Sequence, residues 1–204
     1  MKRKTFDALL STGGLVVAAV LVLAGVLLGW AHNFAADNVK TQLSQQKIFF
    51  PDKAAIAKQN SPEITKYVTP YAGQQVVNGK QAQVFADHYI KVHLNATASG
   101  QTYSEVSGQY VALSRTNPND PKLESLGQQR QTLFMGETLR GMLLNAYAFG
   151  KMGEIAQVSS VIAFICAGVM LLLAALGFWH LRRVAPDAEV LPKLGARTPA
   201  PVEL

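Results

Sequence analysis

Histidine is the residue type in this chain best suited to hold a metal ion, and the sequence has four of them: His32, His88, His93 and His180. His88 and His93 are five positions apart, about 500° of helical rotation, so their side chains should point roughly 140° apart. Metal-binding pairs on helices usually have spacings of three or four. Asp87 could join one of these histidines but not both. We therefore predict surface histidines and no metal site.

Catalytic motifs are missing from the sequence. It contains no G-x-S-x-G nucleophile elbow, no Walker loop and no G-x-G-x-x-G dinucleotide motif. Glu137 and Arg140 are three positions apart, a spacing that usually gives a modest ion pair on a helix surface. The single cysteine, Cys166, cannot form a disulfide within the chain. We predict a protein with no catalytic residues and no cofactor, although Glu137 facing a pocket would favour an enzyme.

Two stretches of the chain, 8–31 and 155–179, contain neither a charged residue nor a proline. Each exceeds the roughly 20 apolar residues that a helix needs to cross a bilayer. Basic residues lie on the terminal side of both stretches: Lys2, Arg3 and Lys4 before the first, and Arg182 and Arg183 after the second. Because such residues mark the cytoplasmic side of a membrane, we predict cytoplasmic segments 1–7 and 180–204 around an extracytoplasmic segment 32–154.

Tryptophan stands near the end of each apolar stretch. Trp30 and Trp179 are both followed closely by a histidine, a pattern typical of the membrane–water interface. We predict Trp30, Trp179, Arg182 and Arg183 as membrane-interface anchors. The expected location is the cell membrane, crossed twice.

A cleaved signal peptide is the alternative interpretation of the first apolar stretch. Lys2, Arg3 and Lys4 would form its basic region, 15–29 its apolar region and 29–31 a small-x-small cleavage site. Trp30 in the middle makes that site poor, and the charge-free stretch is longer than usual. The sequence does not decide whether the first span is ever cleaved.

Small residues form a stripe on each apolar stretch. Because such stripes let two helices approach closely in lipid, they predict a helix-packing interface, either between the two spans or with other membrane proteins. The predicted interface residues are Gly14, Ala18, Gly25 and Gly29 in the first span and Ala163, Ala167 and Ala174 in the second.

The segment after the first span is predicted to prolong it. No helix-breaking residue occurs between Gly29 and Pro51, so we expect one helix of about 40 residues that Pro51 ends. Phe49 and Phe50 would then lie at its tip and pack against the other helices.

The rest of segment 32–154 is also predicted to be helical. We expect a short helix opened by Ser61-Pro62-Glu63, a helix over 79–96 capped by Asn78, and one or two turns around Tyr110. A last helix should start near Pro121 and continue into the second span, with a kink near Gly150 and Gly153. The tail from Val184 is rich in proline and is predicted to be disordered.

Five segments carry a resemblance to a known family. They are GWAH at 29–32, KIFFP at 47–51, YAGQQV at 71–76, TLRG at 138–141 and LNAYAF at 144–149. They are similar to segments of a family of two-span membrane proteins from actinobacteria. Some of its members carry the label of aromatic ring-opening dioxygenases, which hold iron with two histidines and a carboxylate. His88 and His93 cannot supply that geometry. A further resemblance, to small accessory subunits of actinobacterial respiratory supercomplexes, implies a partner rather than a reaction.

The functional prediction follows from these features. We expect an all-α membrane protein, with two transmembrane helices that extend into a helical extracytoplasmic domain, which is a non-catalytic accessory or structural component of a larger membrane assembly. Its partners would be the lipid bilayer and other membrane proteins. Nucleic acid is not expected, because segment 32–154 carries 12 basic and 9 acidic residues, a small excess. The alternatives are an extracytoplasmic sensor or ligand-binding membrane protein, and a membrane-bound enzyme of unknown chemistry.

Overall fold

The computed structural model describes residues 2–185, 188 and 190. Helices make up most of this part: α1 (Arg3–Gln46), α2 (Lys53–Lys58), α3 (Pro62–Val68), a 3-10 turn (Thr69–Tyr71), α4 (Gly79–Val84), a π-helical turn (Phe85–Ile90), α5 (Lys91–Thr97), α6 (Tyr103–Thr116) and α7 (Lys122–Arg183). The described residues contain no β-strand, only an isolated bridge between Phe49 and Gln75. The all-α prediction is confirmed. Most of the tail predicted to be disordered lies outside the described residues.

The chain divides into two compact units. Met1–Gly29 with Gln157–Leu204 is called the apolar unit below, and Trp30–Ala156 the central unit. The long helices α1 and α7 each contribute to both. Each of these two helices is long and apolar enough to cross a membrane.

Side chains of the apolar unit are largely exposed. Leu23 and Leu27 are each 65% exposed and Leu172 is 61% exposed. A core helix of a soluble protein would bury such residues, and a contiguous apolar surface of this kind usually marks an interaction with lipid or protein.

Helix α1 ends at Gln46, before the proline predicted to end it. Lys47 has a φ of 51°, a left-handed conformation that stops the helix. The side-chain amide of Gln75 donates to the Ser44 carbonyl oxygen at 2.8 Å, and the backbone N–H of Lys47 donates to the same oxygen at 3.3 Å, so this acceptor of the last turn is satisfied. The prediction that Pro51 ends the helix is wrong. The helix is ended by the left-handed backbone conformation of Lys47, four residues before the proline, and no residue type in the sequence predicts that conformation.

Phe50 lies in the core of the central unit and Phe49 does not. Phe50 is 2% exposed, stacks on Tyr71 and meets the Phe85 ring edge-on, both with centroids 5.2 Å apart. Phe49 is 56% exposed. Both residues follow the end of α1 in extended backbone, where successive side chains point to opposite sides. The packing prediction therefore holds for Phe50 and is wrong for Phe49.

The helix predicted over 79–96 is present, and Asn78 caps it by accepting from the Gln81 amide at 2.9 Å. Its middle is a π-helical turn, Phe85–Ile90, which the sequence analysis missed. Such turns inside α-helices are uncommon and often serve a specific contact. Here the contact is with Arg140, described below.

Helix α6 is longer than the one or two turns predicted. Thr102 and Glu105 form a reciprocal capping box at its start. The Glu105 carboxylate accepts from the backbone N–H of Thr102 at 2.7 Å and from its hydroxyl at 2.8 Å. These hydrogen bonds, the backbone one first, lower the pKa of Glu105 below its usual value.

Candidate functional site

The small residues predicted as a helix-packing interface meet each other inside the apolar unit. A Cβ built on Gly14 would lie 3.7 Å from the Cβ of Ala174. One on Gly25 would lie 2.9 Å from the Phe164 ring, and one on Gly29 would lie 3.4 Å from the Ser160 hydroxyl. Ala18, Ala163, Ala167 and Ala174 are all buried. The stripes on the two long helices therefore face one another within one chain.

Two serines belong to this interface and were not predicted. Ser160 is buried and its hydroxyl donates to the Gly25 carbonyl oxygen at 2.7 Å. Ser11 is also buried and lies directly against Gly177. Both serines could have been predicted from a spacing of seven residues. Positions 11, 18 and 25 of α1 are all small residues, and so are positions 160, 167 and 174 of α7.

The predicted interface anchors are exposed. Trp30 stacks on Phe34 in the central unit, with ring centroids 5.6 Å apart. In the apolar unit the Arg183 guanidinium lies 4.2 Å from the Trp179 ring centroid, and Arg182 is exposed. An amphipathic ring beside a cation suits a membrane–water boundary.

The two histidines of the central helix serve separate contacts. The Nδ1 atom of His88 lies 3.0 Å from a carboxylate oxygen of Glu63, and its ring stacks on Tyr67 with centroids 3.8 Å apart. The Nδ1 atom of His93 donates to the Tyr89 carbonyl oxygen at 2.7 Å. Among the described residues, no three His, Cys, Asp or Glu side chains cluster in a way that could hold a metal ion.

Arg140 connects α7 to the π-helical turn. Its Nε donates to the Ala86 carbonyl oxygen at 3.1 Å, and its terminal nitrogens reach Asp87 at 3.2 Å and Glu137 at 2.6 Å. Only the Glu137 contact was predicted. Glu137 is nearly half exposed, so it does not sit in a closed pocket. Ala86 and Asp87 are more than 50 positions away in the sequence, and local spacing cannot reveal such partners.

The Arg140→Gln variant is expected to lower the free energy of unfolding of the central unit by about 1–3 kcal/mol, because it removes the charged hydrogen bonds to the Ala86 carbonyl and the Asp87 carboxylate. Thermal unfolding in a mild detergent would measure the change. Glu137→Gln is the matched control, since it removes only an exposed ion pair worth under about 1 kcal/mol. Equal losses in the two variants would contradict the role assigned to the contacts with the π-helical turn.

A cleft of about 400 Å³ lies in the central unit. It is lined by His32, Ala36, Val39 and Lys40 of α1, by Val77, Asn78, Gly79 and Lys80 at the start of α4, and by Tyr147, Gly150, Lys151, Gly153 and Glu154 of α7. We call it the lysine cleft. No carboxylate other than that of Glu154 belongs to its lining.

Glycines bring the walls of the lysine cleft together. A Cβ on Gly79 would lie 3.1 Å from the Tyr147 Cα, and one on Gly150 would lie 3.4 Å from the Gly79 Cα. A Cβ on Gly153 would lie 3.1 Å from the Ala35 Cβ. Helix α7 runs uninterrupted through Gly150 and Gly153. Gly150 and Gly153, the residues near which a kink was predicted, are points of close contact between segments.

Polar contacts in the lysine cleft are few. The Nδ1 atom of His32 donates to the Gly153 carbonyl oxygen at 2.9 Å, which fixes the ring and leaves Nε2 for another partner. The amine of Lys151 lies 2.5 Å from a Glu154 carboxylate oxygen, and this hydrogen bond and charge raise the pKa of Lys151. The amine of Lys80 donates to the Gln83 side chain at 3.0 Å.

An apolar groove of about 370 Å³ lies on the same unit between α1 and α7. We call it the methionine groove. Its exposed apolar side chains are Phe34, Met142 and Phe149. Asn38, Gln42, Gln46 and Asn145 supply its polar lining. No feature of the sequence analysis singled out this groove.

The resemblance to an actinobacterial two-span family remains a prediction. No protein-family model, curated protein or solved structure matches this chain significantly.

Proposed function

We propose that this chain is a non-catalytic integral membrane protein that acts as an accessory or structural component of a larger membrane assembly. Helices α1 and α7 would cross the bilayer with their exposed leucines toward lipid. The basic residues at 2–4 and 182–183 favour cytoplasmic termini and an extracytoplasmic segment 32–154. This orientation leaves the central unit free to meet partners outside the cell membrane.

The methionine groove is the observation that carries the proposal. Met142 is 61% exposed and precedes Ile155, the first residue of the second apolar stretch, by 13 positions. A helix rises about 1.5 Å per residue, so Met142 lies roughly 20 Å along α7 from Ile155. The headgroup layer is only about 5–7 Å thick. An apolar surface at that distance is suited to a protein partner rather than to lipid, and methionine adapts well to such contacts.

The partner is proposed to dock on the central unit because the small-residue stripes face each other inside the chain. A stripe used for packing within the chain offers no surface to a second membrane protein. A helix of the partner lying along the methionine groove would cover Phe34, Met142 and Phe149. The resemblance to accessory subunits makes a respiratory supercomplex the assembly to examine first.

Purification of the tagged chain in a mild detergent, with mass spectrometry of what accompanies it, tests the proposal. We expect a defined membrane complex, such as one containing cytochromes, to accompany the wild-type chain in fixed ratio. Met142→Glu should release that complex, because it places a charge in the groove. Gln109→Glu is the matched control, since it adds the same charge at an exposed position of α6 and should retain the complex.

Two results would overturn the proposal. One is a wild-type chain that purifies as a lone monomer or homodimer. The other is a complex that survives Met142→Glu as well as it survives Gln109→Glu. Either would return attention to a ligand-binding or catalytic role.

A further inference from the structure

We propose that the lysine cleft is a binding site for a phosphate-ester anion, the chemistry shared by acidic phospholipid headgroups and small soluble phosphate esters. The inference rests on the proposed function only for the membrane placement of the cleft. Its charge and shape are properties of the central unit alone.

Charge is the first support. Lys40, Lys80 and Lys151 line the cleft, and Glu154 is the only acid among the lining residues. Glu154 is paired with Lys151. Among the residues that the structure describes, no carboxylate lies within 4.0 Å of the amine of Lys40 or Lys80. The cleft is therefore lined by two lysines, Lys40 and Lys80, that have no acidic partner in that part of the chain, and ammonium groups bind phosphate well.

The polar groups of the cleft also suit a phosphate ester. His32 is oriented by its hydrogen bond to Gly153, and with Nδ1 as the donor its Nε2 is an acceptor that suits a hydroxyl group on the carbon part of the ester. Asn78 and Tyr147 add side chains able to donate hydrogen bonds. Ala36, Val39 and Val77 give an apolar wall for the carbon part of the ester. A volume of about 400 Å³ is within the range of small-ligand clefts.

Position along the chain connects the cleft with the lipid headgroups. His32 directly follows the apolar stretch 8–31, and Glu154 directly precedes 155–179. In a membrane-spanning chain these residues lie at the level of the headgroups. Lys40 is eight residues further along α1, roughly 12 Å by the helical rise. The cleft thus spans the headgroup layer and the water beyond it, so lipid and soluble esters can both reach it.

Native mass spectrometry of the purified full-length chain tests the proposal by titration with phosphatidylglycerol, with phosphatidylcholine as the zwitterionic lipid. Calorimetric titration with glycerol phosphate is the soluble arm. The Lys40→Gln, Lys80→Gln double variant should bind the anionic ligand about tenfold or more weakly, because two charged contacts are lost. Lys53→Gln, Lys58→Gln is the matched control, since it removes two exposed lysines of α2 outside the cleft.

Binding of phosphatidylglycerol alone would identify the ligand as lipid, and binding of glycerol phosphate, alone or as well, would identify a general phosphate-ester site. Equal affinity for phosphatidylcholine, no binding in either arm, or equal weakening in the two double variants would overturn the proposal. The replaced lysines are exposed, so unfolding should not obscure the result. The Met142→Glu variant should keep its ligand, which separates this test from that of the accessory role.

Discussion

A disulfide within one chain is expected when Gly14 and Ala174 are both replaced by cysteine. A Cβ on Gly14 would lie 3.7 Å from that of Ala174, and disulfides join Cβ atoms about 3.5–4.5 Å apart. Cys166 is exposed and should first be changed to alanine so that it cannot compete. Mild oxidation in membranes, followed by digestion and mass spectrometry, would detect the linked peptides.

In the control for this experiment, the first cysteine is moved by one position, from 14 to 13. A Cβ on Gly13 would have no neighbour within 4 Å, so Gly13→Cys combined with Ala174→Cys should not form the link efficiently. Mixing isotopically labelled and unlabelled chains distinguishes a link within a chain from one between two chains. A link between chains would contradict the packing described here and would make the stripes a docking surface for a second copy.

Sequence spacing could predict the small-residue stripes but not their partner. The steps of four and seven between Gly14, Ala18 and Gly25 follow from helix geometry, which is local. Whether such a stripe meets another in the same chain depends on the connection between the spans, here more than 100 residues long. Ser11 and Ser160 were missed because only glycine and alanine were counted as small residues.

The helices of the central unit were largely predictable and the contacts between them were not. Caps at Ser61 and Asn78 are local signals, and both are present. The π-helical turn contacts Arg140, which is more than 50 positions away in the sequence. The close contact at Gly150 could not be predicted, because a glycine that bends a helix and one that admits a neighbouring backbone look the same in the sequence.

The lysine cleft could not be predicted because its lining comes from three separate segments. Lys40, Lys80 and Lys151 have no mutual spacing that a sequence pattern would single out. Their approach depends on Gly79 packing against α7. A site whose residues share one helix or loop can be predicted from their spacing in the sequence, whereas a cleft between separate elements can be identified only when the packing of those elements is known.

The neighbouring variants Phe50→Ala and Phe49→Ala are expected to differ strongly in stability. Phe50 is 2% exposed and packs against the rings of Tyr71 and Phe85. Its removal leaves a cavity that should lower the free energy of unfolding by about 3–5 kcal/mol. Phe49 is 56% exposed, and its truncation should cost within about 0.5 kcal/mol, the usual range for surface changes.

Thermal unfolding of the detergent-solubilised chain, compared between the two variants, measures this difference. Each substitution removes the same side chain from adjacent positions, so helix propensity and composition cannot account for a gap. The segment is extended, with the Phe50 amide donating to the Gln74 carbonyl oxygen and the Val76 amide donating to that of Ile48, both at 2.9 Å. These bonds fix which phenylalanine faces the core. Comparable losses would show that Phe49 is also buried, as by a partner that covers it. A larger loss in the Phe49→Ala variant would indicate a shift of one residue in this pairing, which would bury Phe49 in place of Phe50.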